Sequence, residues 1–248
     1  MKIIYLFINL AFLGSLALNG QNAKEVVRKA DNLMRGESNF AEIKMVIHRP
    51  KWERTLEMKS WAKGDRYALI YITAPAKEEG QVFLKRGQEM WNWLPSINRT
   101  IKIPPSMMMQ SWMGSDLTND DLVNQSSIVD DYDHQILGKE TQEGYECYKI
   151  EMIPHEDAAV VWGKIISWIS VENHYTLRNE YYNEDDELVN TEILSNIRDV
   201  GDRKIPTRFK VIPVEEEDYF TIMEFKNIRF NIEIEDAFFS IQNMKQIR

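Results

Sequence analysis

The chain reads as a mainly β protein with a few α-helices, one large, strongly curved antiparallel sheet. Three observations carry this. Apolar and polar residues alternate with a period of two through most of the sequence after residue 36. Turn signals such as Lys63-Gly64-Asp65, Glu79-Gly80, Arg86-Gly87 and Pro95-Ser96 recur at short intervals. The runs between them lie too close together for parallel crossovers, which need a dozen or more residues, so neighbouring strands must be antiparallel.

The elements follow in order. Residues 1–20 have the pattern of a secretory signal: a short basic start at Lys2, an apolar run from Ile3 to Leu18, and small and polar residues up to Gly20. Asn22 to Glu25 has the form of a capping box. Val26, Ala30 and Leu33 then share one helical face, and Gly36 is a natural stop, which predicts a helix over 23–35. Ala41, Ile43, Met45 and Ile47 alternate with Glu42, Lys44 and His48, and Leu56, Met58 and Ser60 continue the pattern. Short strands are expected at 66–73, 81–85, 90–94 and 98–103, then at 132–137, 145–153, 161–172, 175–182, 188–197, 205–213 and 219–231. Both faces of 161–172 are apolar, which predicts a central strand covered twice. No repeat or linker divides the chain, so residues 21–248 form a single domain.

The segment 106–127 departs from this alternation. After Pro104-Pro105 it carries Met107, Met108, Met109, Trp112, Met113 and Leu117, and Thr118 to Asp121 has the form of a second helix start. Two short helices lying across the sheet are expected. Flexible thioethers and an indole suit either a hydrophobic plug or the cover of an apolar cavity. Trp91 and Trp93 share one face of the preceding strand and suit the same two roles.

Composition excludes several functions. The formal charge of −9 moves to −10 when Lys2 leaves with the signal, a poor match for nucleic acid or an anionic membrane surface. Cys147 is the only cysteine. It lies far from the cleavage region, so there is no lipidation motif there, and a single thiol closes no intrachain disulfide. His48, His134, His155 and His174 have no ligand spacing, and the calcium-loop start at Asp131-Tyr-Asp133 has Ile136 where glycine is needed. No Gly-x-Ser-x-Gly elbow or phosphate-cradling loop occurs, though Ser96, Ser106, Ser111 and Ser115 lie near the Met-rich segment.

Several blocks together match a known pattern: Trp91 to Pro95, Arg99 to Pro105, Ser111 to Leu117 and Asp120 to Leu122, then Leu177 to Tyr182, Asp186 to Leu188, Ile205 to Arg208 and Asp236 to Ser240. The chain resembles the outer-membrane lipoprotein-sorting branch of the LolA/LolB-like family over about 23–241. The resemblance implies a half-open barrel closed by short helices, with an apolar concave face. It implies a non-enzymatic, cofactor-free periplasmic carrier of lipoprotein acyl chains or phospholipid, probed by an inner-membrane exporter that loads it and an outer-membrane acceptor that unloads it. A monomer is expected. Candidate cavity and lid residues are Trp91, Trp93, Met107, Met108, Met109, Trp112, Met113, Leu117, Met45, Ile47 and Met58. The best-studied carrier of the family holds its lid with an arginine; no position here matches it, and Arg99 is only a loose candidate. A lipid-binding accessory or sensor domain, and an acyl hydrolase, are the alternative roles.

Overall fold

Among the described residues antiparallel pairing joins thirteen strands into one sheet that does not close. The structure is a computed structural model, and it describes residues 8–87, 89–119, 121, 128–156, 158 and 160–247. A long helix, α1 (Ile8–Arg35), comes first. Six strands follow: β1 (Ser38–Arg49), β2 (Trp52–Lys63), β3 (Tyr67–Ala74), β4 (Val82–Arg86), β5 (Glu89–Leu94) and β6 (Arg99–Ile103). Beyond the Met-rich segment come β7 (Tyr132–Gln142), β8 (Tyr145–Pro154), β9 (Lys164–Ser170), β10 (Thr176–Tyr182), β11 (Leu188–Val200), β12 (Arg203–Pro213) and β13 (Phe220–Phe230). The chain ends in a short helix, α2 (Ile241–Met244).

The spatial order is β6-β5-β4-β3-β2-β1-β13-β12-β11-β10-β9-β8-β7. Two meanders, running in opposite directions, meet where β1 pairs with β13. Residue register shifts on β1–β13, β2–β3, β7–β8, β9–β10 and β10–β11. Each bulge adds local twist and bend, which lets so wide a sheet curl. β12 and β13 pair only between Arg208 and Val211 and then part. Arg198 spans that gap, donating from Nε to Thr207 Oγ1 at 2.9 Å and from Nη2 to the Phe225 carbonyl at 2.6 Å.

The expected helix over 23–35 lies inside α1, but Asn22 does not cap it, because the helix runs back to Ile8. Among the described residues no helix is long and apolar enough to cross a membrane. Gly36 ends α1 as expected. It adopts φ 62°, a conformation only glycine takes without strain, and its N–H donates to the Asn32 carbonyl at 3.0 Å.

Both faces of the sheet are covered. On the inner face, α1 lays Ala23, Val26, Val27 and Ala30 against Tyr132, Ile150, Met152, Ile165 and Ile169. On the outer face, Leu69, Tyr71, Val82, Leu84 and Trp93 pack against Phe239 and Met244 from the C-terminal segment. Phe239 stacks on Tyr67 with centroids 5.3 Å apart. β9 is buried on both faces as expected, with Ile165 and Ile169 inside and Ile166 and Trp168 outside. It is not central, however: it is third from the β7 edge.

Phe239 is fully buried and anchors the C-terminal segment. Phe239→Ala is expected to lower the unfolding free energy by about 3–5 kcal/mol, read as a lower midpoint in urea denaturation at unchanged slope.

Candidate functional site: an apolar cavity under a pinned cover

The Met-rich segment supplies one wall of a cavity. It is built as two 3-10 turns, Pro105–Met107 and Trp112–Gly114. A single bridge between Ser111 and Thr118 closes the loop, and the Trp112 N–H donates to the Leu117 carbonyl at 2.7 Å. Thr118 and Asp121 cap reciprocally: the Thr118 N–H donates to Asp121 Oδ2 at 2.7 Å, and the Asp121 N–H to Thr118 Oγ1 at 3.1 Å. The helix start read from Thr118 to Asp121 is therefore present. The rest of that second helix, 122–127, lies outside the described residues, and the first expected helix is replaced by the two 3-10 turns.

Trp112 is 1 % exposed and stands edge-on to Phe83, with centroids 5.3 Å apart. It and Leu117 sit over Met45, Ile47, Leu56, Met58, Ile72, Met90 and Ile103 on the inner faces of β1 to β6. Burying one indole of this kind stabilises by roughly 4–6 kcal/mol on area grounds.

Two arginines fasten this cover to the sheet. Arg49, at the end of β1, binds Asp116 with two hydrogen bonds, Nη2 to Oδ1 at 2.9 Å and Nη1 to Oδ2 at 3.1 Å. It also donates to the Gly114 carbonyl at 3.0 Å. Thr221 of β13 completes the joint: its hydroxyl donates to Asp116 Oδ2 at 2.6 Å and accepts from the Asp116 N–H at 3.0 Å. Arg54 of β2 donates to the Met113 carbonyl. Met113 itself has φ 52°, so the turn that offers this carbonyl is held in an unfavourable conformation. Arg99, the loose sequence candidate for a lid arginine, is exposed on edge strand β6, and the described hydrogen bonds to the cover come from Arg49 and Arg54 instead.

Between this cover, α1 and the curled sheet lies a cavity of about 370 Å³. Its lining comes from both halves of the sheet: Met58, Ala68 and Ile70 from β2 and β3, and Ile165, Leu194, Phe209, Met223 and Phe225 from β9 to β13. Val27, Ala30 and Met34 of α1 and Trp112 and Leu117 of the cover complete it. Strands from opposite ends of the order can share one cavity only because the sheet bends around it. The volume falls in the roughly 300–1,000 Å³ range of small-molecule sites.

The residues singled out from sequence separate into groups. Met58, Trp112 and Leu117 line the cavity. Met45 and Ile47 share the same inner face but are fully buried beneath the cover and do not reach it. Met108 and Met113 pack partly buried against that core, whereas Met107 and Met109 are exposed, Met109 by 60 %. Trp91 and Trp93 require a correction: they lie on the outer face, against the C-terminal segment. They pair across strands with Leu84 and Val82, whose side chains point the same way, and Met90 takes the inner position. Ser111 and Ser115 direct their hydroxyls to backbone carbonyls, at 2.5 Å to Ser115 and 2.7 Å to Trp112, and not to a base.

Sequence reasoning missed the polar part of the wall. Glu192 Oε2 accepts from the Asn179 amide at 2.8 Å and the Tyr181 hydroxyl at 3.0 Å. Asp121 Oδ1 accepts from the Trp162 indole at 3.3 Å. Burial pushes both carboxyls up from their ordinary range, and their hydrogen bonds pull them partly back. Burial and the neighbouring Glu192 push the Tyr181 hydroxyl well up. The signal was in β11, where Asn190, Glu192 and Leu194 share one parity; a glutamate in an otherwise inward set marks it as special.

Solved structures share this half-barrel, which is the architecture of LolA superfamily and outer-membrane lipoprotein-sorting domain proteins. A DUF1329 family protein from Desulfovibrio piger matches with a TM-score of 0.83 at 26% identity, covering 91% of this chain and 99% of that one. A domain described as an outer-membrane lipoprotein-sorting protein from Vibrio parahaemolyticus matches at 0.80 and 19% identity, over 92% of this chain and 100% of that one. A LolA superfamily protein from Nitrosomonas europaea matches at 0.77 and 21% identity, over 89% of this chain and 98% of that one. A family model described as an uncharacterized protein matches residues 64–246, and the chain belongs to that family. No curated protein matches the chain.

Two outcomes are expected. Arg49→Ala strands Asp116, a buried carboxylate, without its cation. It should cost about 3–5 kcal/mol and speed limited proteolysis between residues 105 and 118. Glu192 keeps its proton to higher pH when folded than when unfolded, so its contribution to stability is largest at low pH and is lost as pH rises above the usual carboxylate range. Glu192→Gln should therefore flatten the decline of the denaturation midpoint with rising pH, and an unchanged slope would remove Glu192 as its source.

Proposed function

We propose that this protein is a non-enzymatic carrier that shelters acyl chains, of lipoproteins or of phospholipid, and moves them across the periplasm toward the outer membrane. The observation that supports this most is the apolar cavity between the curled sheet, α1 and the Trp112 cover. Each buried methylene is worth about 0.8 kcal/mol, so water does not accept a free multi-acyl lipid and a soluble cavity must hold it. The methionines that line the cavity, Met34, Met58 and Met223, offer apolar area with adaptable shape, which suits loading and release. The fold shared with the lipoprotein-sorting domain from Vibrio parahaemolyticus supports this reading.

In this reading residues 1–20 are a signal that directs export, and 21–248 form a monomeric, non-lipidated lipid-binding domain. An inner-membrane exporter loads it and an outer-membrane acceptor empties it. Met58, Trp112 and Leu117 contact the cargo. Met108 and Met113 support the cover from behind.

Native mass spectrometry of gently purified protein should show phospholipid or acylated peptide bound, and the protein should extract lipoproteins from spheroplasts. Ala68 lines the cavity, so Ala68→Trp fills it in part. This variant should bind an uncharged fluorescent acyl probe about tenfold more weakly while its far-UV spectrum stays native. A protein that carries no lipid and takes none up would end the carrier reading.

A further inference from the structure

The polar patch in the cavity wall is arranged like a receptor for a positive charge. Glu192 and Asp121 flank two aromatic rings, Tyr181 and Trp162, whose centroids are 5.1 Å apart. Each acid is tied to one of them, Glu192 to the Tyr181 hydroxyl and Asp121 to the Trp162 indole. All four residues line the cavity. The other acids in the lining have cations: Asp31 is bound to Arg35 at 2.7 Å and Asp116 to Arg49 at 2.9 Å. Among the described residues neither Glu192 nor Asp121 forms an ion pair, and the described hydrogen bonds to Glu192 all end on Oε2, leaving Oε1 without one.

A second observation concerns the cover. Trp112, buried and lining the same cavity, has an indole N–H with no hydrogen-bond partner among the described residues. A buried donor left unmade is costly, so this position calls for an oxygen acceptor on whatever fills the cavity. Carboxylates removed from water call for a cation in the same way. Aromatic faces attract ammonium groups through the ring quadrupole.

We propose that the occupant is an amphiphile with a positively charged amine head, seated against Glu192, Asp121, Tyr181 and Trp162, with an ester or amide oxygen within reach of the Trp112 indole. This deepens the carrier reading and rests on it. Amine-headed phospholipid and the free N-terminal amine of a diacylated lipopeptide share this chemistry. A fatty acid would place its carboxylate against two others and is disfavoured.

The test uses the full-length mature protein and calorimetric titration with decylammonium, decanol and decanoate below their micelle concentrations. Decylammonium is expected to bind about tenfold tighter than decanol, with decanoate weakest. Glu192→Gln should bring decylammonium down to the wild-type decanol value while the far-UV spectrum stays native, which shows that the variant is folded; Asp121→Asn should do the same in part. Equal affinities for the three, or a preference that survives both substitutions, overturns the inference and leaves the carrier reading standing. Failure of all three to bind overturns both. Competition against decylammonium by phosphatidylethanolamine, or by a diacylated lipopeptide with a free amine, then supports the proposal and names the source.

Discussion

An antiparallel sheet of thirteen strands that does not close must hide its inner apolar face from water, and the rest of the structure answers that demand. Helix α1 covers the side formed by β7 to β9, with Val26, Val27 and Ala30 against Ile150, Ile165 and Ile169. The Trp112 loop covers the side formed by β1 to β6. Both covers contribute to the cavity wall, α1 with Val27, Ala30 and Met34 and the loop with Trp112 and Leu117. The cavity is therefore a consequence of the architecture: two covers on one curved floor enclose apolar volume without filling it.

The outer face has its own requirement, because strands this apolar on both sides cannot leave one side bare. The C-terminal segment meets it with Phe239 and Met244, which join Leu69, Tyr71, Val82, Leu84 and Trp93. Trp61 contributes as well, against Phe238 at 5.5 Å. Trp61, Trp91 and Trp93 thus serve the outer face and not the cavity. The inner and outer clusters are separated only by the pleat, so a side chain's role is fixed by parity along its strand.

Charge is used in two ways around the cavity. Where an acid holds structure, it is matched: Arg49 and Thr221 satisfy Asp116 and fix the cover to β1 and β13. Asp31 is likewise matched by Arg35 within α1. Among the described residues Glu192 and Asp121 meet only neutral donors, namely Asn179, Tyr181 and Trp162 with the Thr118 backbone. The first arrangement locks geometry. The second leaves charge or a bound proton inside an apolar space, where burial keeps both carboxyls above their usual range.

Local pattern determined much of this protein. The thirteen strands, the turn glycines, the stop at Gly36 and the helix start at Thr118 to Asp121 were legible, because period-two alternation, left-handed backbone and capping are all properties of a few neighbouring residues. Alternation also placed Ala41, Ile43, Met45 and Ile47 on one face and the Trp91–Trp93 pair on another. It could not say which face pointed inward, since both faces are covered by segments distant in sequence. The same distance hid the joint between Arg49 and Asp116, 67 residues apart, and the meeting of Asp121 with Trp162 and of Tyr181 with Glu192. Sequence dictated which residues alternate and turn; only the bending of the sheet decided which of them share the cavity, because that depends on contacts between strands the chain itself keeps far apart.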